Sequence, residues 1–260
     1  MDRPPQVRTL LGVRKSGTTA LLNSVGQHPE VEAVHGALWE QLVGTQGLLE
    51  PFSAKSNKSH RVMKEAFGGT RKEGCTYNPF PRAVGMEYVK PLAIARFPVQ
   101  VFNSWELVNQ RAKREDRRQM GSFQNFQLAM EHFYGLVGDL NRTTSETRCL
   151  AYEHLCANPR RVMSRLLSHW GLPWDERVCN WQNPVEELLV SETRVGASRE
   201  RFQGYLDTGR FDTLLNNQEG FTYTEHDLVI DPYTVQAINE QFGSRYRQLC
   251  NESNAFFLKT

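Results

Sequence analysis

The sequence predicts an α/β fold in which a central, mainly parallel sheet is flanked by helices in three layers. Three short apolar segments, 7–13, 92–95 and 148–152, have the composition of buried strands, and each leads directly into a helix-forming segment. The chain has 260 residues, of which 39% are hydrophobic and 23% are charged. That length suffices for one substantial core, so we expect a single domain over residues 1–260.

The first predicted strand leads into a loop that is suited to bind an anion. Gly17 permits a close backbone approach, and Thr18 and Thr19 place two hydroxyl groups where the next helix begins. The first amides of a helix lack helical partners and attract phosphate groups, and Lys15 adds a positive charge. The sequence therefore predicts a P-loop-like phosphate site.

This loop differs from two common nucleotide-binding motifs. In a Walker loop a lysine directly follows the second glycine, whereas here Thr18 follows Gly17 and the lysine stands earlier, at Lys15. The Gly-x-Gly-x-x-Gly pattern of dinucleotide-binding proteins does not occur in this segment. The loop thus indicates a phosphate ligand bound in a different way.

A second segment is also suited to a phosphate. Arg96 follows the apolar strand 92–95, and Pro98 suits the first turn of a helix. Ser104 stands two turns further on, so Arg96 and Ser104 could hold one phosphate from two sides.

Together these two segments resemble the sulfotransferases that use 3′-phosphoadenosine 5′-phosphosulfate (PAPS). Segment 14–19 resembles their 5′-phosphosulfate loop, and Arg96 and Ser104 have the spacing of the pair that holds the 3′-phosphate. The opening through residue 31 is most similar to the glycan and tyrosyl-protein branches. The resemblance implies a transferase that needs no metal and releases adenosine 3′,5′-bisphosphate. A P-loop kinase and a non-catalytic nucleotide-binding protein are the alternatives.

The resemblance also assigns residues to the donor site. Tyr152, in a segment similar to the family's Tyr-Glu-Asp-Leu, is expected near the adenine. A late loop with Arg194 and Gly196 is expected to close over the 3′-phosphate, with Arg199 and Arg201 as alternatives. The expected donor-binding residues are Arg14, Lys15, Ser16, Gly17, Thr18, Thr19, Arg96, Ser104, Tyr152, Arg194 and Gly196. Lys15 is also expected to act in catalysis, on the leaving oxygen.

The catalytic base is expected shortly after a His-Pro pair, where the related branches have a carboxylate. His35 is nearest to that position and is the predicted base, with Glu40 and Glu65 as alternatives. Lys64 resembles the family's lysine at a strand end, so Lys64 and Glu65 are expected to bind the acceptor. A solvated Lys–Glu pair is the other interpretation.

Composition limits the partners and the compartment. A net charge of +2 gives no reason to expect nucleic acid, and no apolar run is long enough to span a membrane. The start of the chain lacks the apolar stretch of a signal peptide, and the five cysteines lack metal-like spacing. We expect reduced thiols, a cytoplasmic location, and a small-molecule or carbohydrate acceptor. The sequence leaves the acceptor's identity and the oligomeric state open.

Overall fold

Strand β1 (Gln6–Val13) is the central element of the fold, and every residue in it after Gln6 is buried. A strand that is buried on both faces is typical of a parallel sheet covered by helices. The computed structural model describes residues 5–35, 56–80, 89–115, 119–181, 221, 223 and 226–259.

Five parallel strands form the sheet, in the spatial order β2-β3-β1-β4-β5. The other four strands are β2 (Val31–His35), β3 (His60–Phe67), β4 (Leu92–Ala95) and β5 (Arg148–Ala151). Because all strands run the same way, their carboxyl ends meet at one edge of the sheet. The chain crosses from one side of β1 to the other between β3 and β4, and such a switch point is where α/β sheets bind ligands.

Helices follow the strands and begin with recognisable signals. Pro98 and Pro159 stand at first helical positions, and the side chain of Ser122 accepts a hydrogen bond from the amide of Asn125. The α-helices are α1 (Thr18–Gly26), α2 (Glu73–Thr76), α3 (Pro98–Arg114), α4 (Phe123–Thr143), α5 (Tyr152–Ala157), α6 (Pro159–Trp170) and α7 (Pro232–Ser253).

The hydrophobic core lies on both faces of the sheet. On one face, large side chains from α3, α4 and α7 pack together, namely Trp105, Phe126, Phe133 and Phe242. On the other face, α1 and α6 contribute Leu21, Leu22, Leu166 and Trp170. The sheet and these two helical layers confirm the predicted α/β fold.

One predicted boundary is wrong. The segment 148–152 was expected to be strand throughout, but β5 ends at Ala151 and Tyr152 is the first residue of α5. The strand passes into the helix without a connecting loop. Tyr152 therefore lies at the carboxyl edge of the sheet, where the predicted ligand sites are.

Two general expectations can be compared with the described residues. All five cysteines lie among the described residues and none is in a disulfide there, and their reduced state stays a prediction. No helix among the described residues is long and apolar enough to cross a membrane.

Candidate functional site

The loop of residues 14–17 connects β1 to α1 at the carboxyl edge of the sheet, and we call it the β1–α1 loop. Lys15 and Gly17 have φ angles of 76° and 97°, so the backbone enters the left-handed region twice. The hydroxyl of Ser16 donates to the carbonyl oxygen of Val13 at 2.7 Å, which holds the loop against the strand end. Lys15 is exposed beside the first turn of α1, so the loop combines a cation with helix amides.

Gly17 is required for a second reason, because the ring of Tyr152 packs on it. A Cβ atom at this position would lie 2.2 Å from Cδ2 of Tyr152. The first residue of α5 thus covers the β1–α1 loop. Burial raises the pKa of Tyr152, so its hydroxyl stays protonated at neutral pH.

Lys64 joins the β1–α1 loop from the neighbouring strand β3. Its ammonium donates to the hydroxyl oxygen of Thr19 at 2.8 Å, and the residue is only 4% exposed. A second positive charge therefore lies at the first turn of α1. This position suits an anion at the loop at least as well as the acceptor contact expected from the sequence.

Glu65 lies on the opposite face of β3 from Lys64, because successive strand residues alternate. It is fully buried and accepts a hydrogen bond from the hydroxyl of Tyr77 at 2.6 Å. Burial raises the pKa of Tyr77, and the neighbouring charge of Glu65 raises it further. The interpretation of Lys64 and Glu65 as a solvated pair is therefore wrong.

Arg96 directly follows β4, and its guanidinium lies against two neighbouring aromatic rings whose centroids are 6.5 Å apart. Its guanidinium carbon is 5.7 Å from the ring centroid of Tyr152 and 5.1 Å from that of Tyr223. We call these three residues the Arg96 stack. Cation–π contacts of this kind restrict the position of a guanidinium group at the carboxyl edge of the sheet.

Ser104, the predicted partner of Arg96, lies in the second turn of α3. It is 9% exposed, and its hydroxyl donates to the carbonyl oxygen of Gln100 at 2.8 Å. Such a bond to the preceding turn is common for helical serines. A phosphate contact from Ser104 stays a prediction.

Arg14 is held at both its backbone and its side chain. The indole N–H of Trp105 donates to the carbonyl oxygen of Arg14 at 2.8 Å. A Cβ atom on Gly69 would lie 3.4 Å from Nη1 of Arg14, so the guanidinium extends toward the segment that follows β3. Helix α3 thereby contacts the β1–α1 loop through Trp105.

The remaining predicted residues are less fully described. His35 is the last residue of β2, and its backbone pairs in register with Lys64 of β3. Glu40, Arg194, Gly196, Arg199 and Arg201 lie outside the described residues. In the described part of the chain, no cluster of three or more His, Cys, Asp or Glu residues could hold a metal ion.

Three contacting residues were not predicted for the site. Tyr223 lies far along the chain from Arg96, and no local pattern marks it. Trp105 follows Ser104 directly, but nothing in that segment marks it as a contact of the β1–α1 loop. Glu153 follows Tyr152 and accepts a hydrogen bond from the amide of Phe97, next to Arg96. The Tyr-Glu pair in the sequence was the only signal for it.

The architecture matches sulfotransferases of known structure. The mouse sulfotransferase SULT7A1, solved in complex with PAP, has a TM-score of 0.52 and 12% identity over 98% of this chain and 91% of that chain. The sulfotransferase domain from the curacin biosynthetic pathway has a TM-score of 0.50 and 13% identity over 93% of this chain and 98% of that chain. The sulfotransferase domain from the Synechococcus PCC 7002 olefin synthase has a TM-score of 0.47 and 16% identity over 94% of this chain and 96% of that chain.

The likeness lies in the fold. No protein-family model matches the sequence, and no curated protein matches it. The chain has the sulfotransferase fold, and the resemblance predicted from the two phosphate motifs is confirmed at that level.

Proposed function

We propose that the protein is a PAPS-dependent sulfotransferase, acting within a single domain on a hydroxyl or amine of a small-molecule or carbohydrate acceptor. The observation that carries this proposal is the proximity of two cationic sites at one sheet edge. The β1–α1 loop and the Arg96 stack are joined by Tyr152, which packs on Gly17 and contacts Arg96. A ligand with two separate anionic groups on a nucleoside suits this arrangement.

The donor set fits the two ends of PAPS. Lys15, Thr18, Thr19 and the first amides of α1 would hold the 5′-phosphosulfate, and Lys64 adds charge through its bond to Thr19. Arg96 is half-buried and would hold the 3′-phosphate. The mouse enzyme of the same fold was solved with PAP, which supports the choice of nucleotide.

The proposed chemistry depends on charge and position rather than on covalent participation of the protein. PAPS, when bound, supplies an activated sulfuryl group that moves to the acceptor as its bond to the 5′-phosphate oxygen breaks. The ammonium of Lys15 and the helix amides stabilise the charge that develops on that oxygen. A base removes the proton of the acceptor hydroxyl or amine.

We assign the base to His35, whose backbone lies at the level of Lys64 in the sheet. Glu65 is a weaker candidate because it is fully buried and holds the hydroxyl of Tyr77. If a ring nitrogen of His35 accepts the proton, His35→Ala lowers the rate about 10²–10⁴-fold and leaves donor affinity intact. Glu40→Ala and Glu65→Gln are measured beside His35→Ala. Normal turnover in His35→Ala would mean that Glu40 or Glu65 is the base.

The function itself is tested by binding and then by turnover. Calorimetry should show that adenosine 3′,5′-bisphosphate binds more tightly than ATP. Preference for ATP would instead indicate the kinase alternative. A screen of alcohols, sugars and amines with labelled PAPS should then yield a sulfated product. Binding of the bisphosphate without turnover on any acceptor would indicate a non-catalytic nucleotide-binding protein.

A further inference from the structure

The carboxylate of Glu153 connects three segments of the chain. One oxygen accepts the N–H of Phe97 at 2.9 Å, and the other accepts the hydroxyl of Tyr246 at 2.6 Å. Phe97 directly follows Arg96, and Glu153 directly follows Tyr152. One carboxylate therefore fixes the backbone on both sides of the contact between Arg96 and Tyr152.

The bond to Phe97 also completes the start of α3. Phe97 is the N-cap residue of this helix, and its own side chain makes no capping hydrogen bond. The carboxylate of Glu153, supplied by α5, places a negative charge at the positive end of the helix dipole. The start of α3 is thus defined by a contact from a distant part of the chain.

Helix α7 also contacts the residues on either side of Tyr152 and Glu153. The hydroxyl oxygen of Ser253 accepts the amide of Ala151 at 3.0 Å and lies 2.9 Å from Nδ1 of His154. Ser253 and Tyr246 are seven residues apart, so they lie two turns apart on one side of α7. Burial raises the pKa of Tyr246, which keeps its hydroxyl a donor to Glu153.

We propose that Glu153 is a positioning residue, which sets the place of Arg96 at the 3′-phosphate and is itself held by Tyr246 of α7. The inference rests on the proposed function, since it takes Arg96 to be the contact for that phosphate. Arg96 lies between β4 and the amide of Phe97 in the chain, so a shift of that amide moves the guanidinium relative to the rings of Tyr152 and Tyr223. Helix α7 thereby acts on donor recognition without touching the donor.

The test measures recognition of the 3′-phosphate alone. Calorimetry on the full chain gives the dissociation constants of adenosine 5′-phosphate and adenosine 3′,5′-bisphosphate. The constant of the monophosphate divided by that of the bisphosphate reports the 3′-phosphate contact. We expect Glu153→Ala to lower this ratio about tenfold. Glu153→Gln should restore most of it, since the amide oxygen still accepts the N–H of Phe97. Tyr246→Phe should lower the ratio about threefold, because this variant loses only the hydrogen bond between Tyr246 and Glu153 and keeps the bond between Glu153 and Phe97.

Glu131→Ala is the matched control. Glu131 of α4 pairs with Arg245, the residue before Tyr246, so this variant removes another carboxylate that binds α7. Its ratio should equal that of the wild type. An unchanged ratio in Glu153→Ala, or an equal fall in Glu131→Ala, would overturn the inference. If Glu153→Ala does not fold, the ratio in Tyr246→Phe decides in the same way. Equal affinity of the wild type for both ligands would overturn the proposed donor site itself.

Discussion

The β1–α1 loop and the Arg96 stack lie at the same sheet edge, but they are built in different ways. The loop consists of consecutive residues, and its shape depends on the left-handed backbone at Lys15 and Gly17. The stack consists of Arg96, Tyr152 and Tyr223, side chains from three distant segments. A site built from the backbone depends on local conformation, whereas a site built from side chains depends on how distant elements pack.

The largest effect is expected at the loop, in the chemical step. Lys15→Ala should lower kcat about 10²–10³-fold and raise the dissociation constant of the donor much less. In the proposed chemistry, Lys15 stabilises the charge on the leaving oxygen, and this charge appears only as the bond breaks. Single-turnover kinetics with labelled PAPS separates the two quantities. Lys58→Ala removes a lysine at the opposite edge of the sheet and should leave both unchanged. Poor affinity with near-normal turnover in Lys15→Ala would make Lys15 a binding residue only.

The backbone of the loop is tested by a single methyl group. Gly17→Ala should destabilise the fold by about 2–4 kcal/mol, because the new Cβ meets the ring of Tyr152 at a positive φ. Urea unfolding followed by circular dichroism measures the change. Gly135→Ala is the control, since nothing lies within 4 Å of a Cβ at that helical position. Its stability should stay the same or rise by up to about 1 kcal/mol. Equal losses in the two variants would contradict a special role for Gly17.

In the stack, the charged member should matter most. Arg96→Ala should weaken adenosine 3′,5′-bisphosphate by about 1.5–3 kcal/mol and scarcely change adenosine 5′-phosphate. The affinity of Arg96→Lys should lie between those of the wild type and Arg96→Ala, since lysine keeps the charge but loses the planar guanidinium that packs on the two rings. Calorimetry with both ligands provides the comparison. Equal weakening of the two ligands would show that Arg96 does not contact the 3′-phosphate.

The smallest effect is expected from Tyr223, the second ring of the Arg96 stack. Tyr223→Leu should cost about 0.5–1 kcal/mol in affinity for the bisphosphate, the size of a partly exposed cation–π contact. Tyr233→Leu is the matched control, because Tyr233 is 84% exposed at the start of α7. The same calorimetric titration measures both. A loss in Tyr223→Leu as large as that in Arg96→Ala would mean that Tyr223 contacts the ligand directly.

The difference between a site of consecutive residues and a site of distant side chains explains how much of the molecule could be predicted from the sequence. Strand β1, its loop and α1 were predictable because strand apolarity, a glycine turn and helix signals are all local. The position of Arg96 followed in the same way from the strand before it and Pro98 after it. In contrast, Tyr223 contacts Arg96 and Glu153 accepts the amide of Phe97, and each contact joins segments that are far apart in the chain. No spacing rule within one segment reveals such a contact.

Lys64 and Glu65 show a second limit of the sequence. A Lys–Glu pair has the composition of a solvated surface, yet both residues are buried in β3 between two other strands. Only the strand order determines that β3 is an interior strand. Their alternation, which places Lys64 near Thr19 and Glu65 near Tyr77, then follows from strand geometry.

The attachment of α7 to residues 151–154 has a consequence for the order in which the site is assembled during protein synthesis. The ribosome makes the β1–α1 loop first, and that loop can take shape with α1 and the early strands. The turn that carries Tyr152 gains its contacts with Tyr246 and Ser253 only after α7, the last of the described α-helices, has been translated. We therefore expect residues 14–17 to be translated long before the contacts of α7 with residues 151–154 can form. On the proposed function, selectivity for a nucleotide that carries a 3′-phosphate then depends on these late contacts.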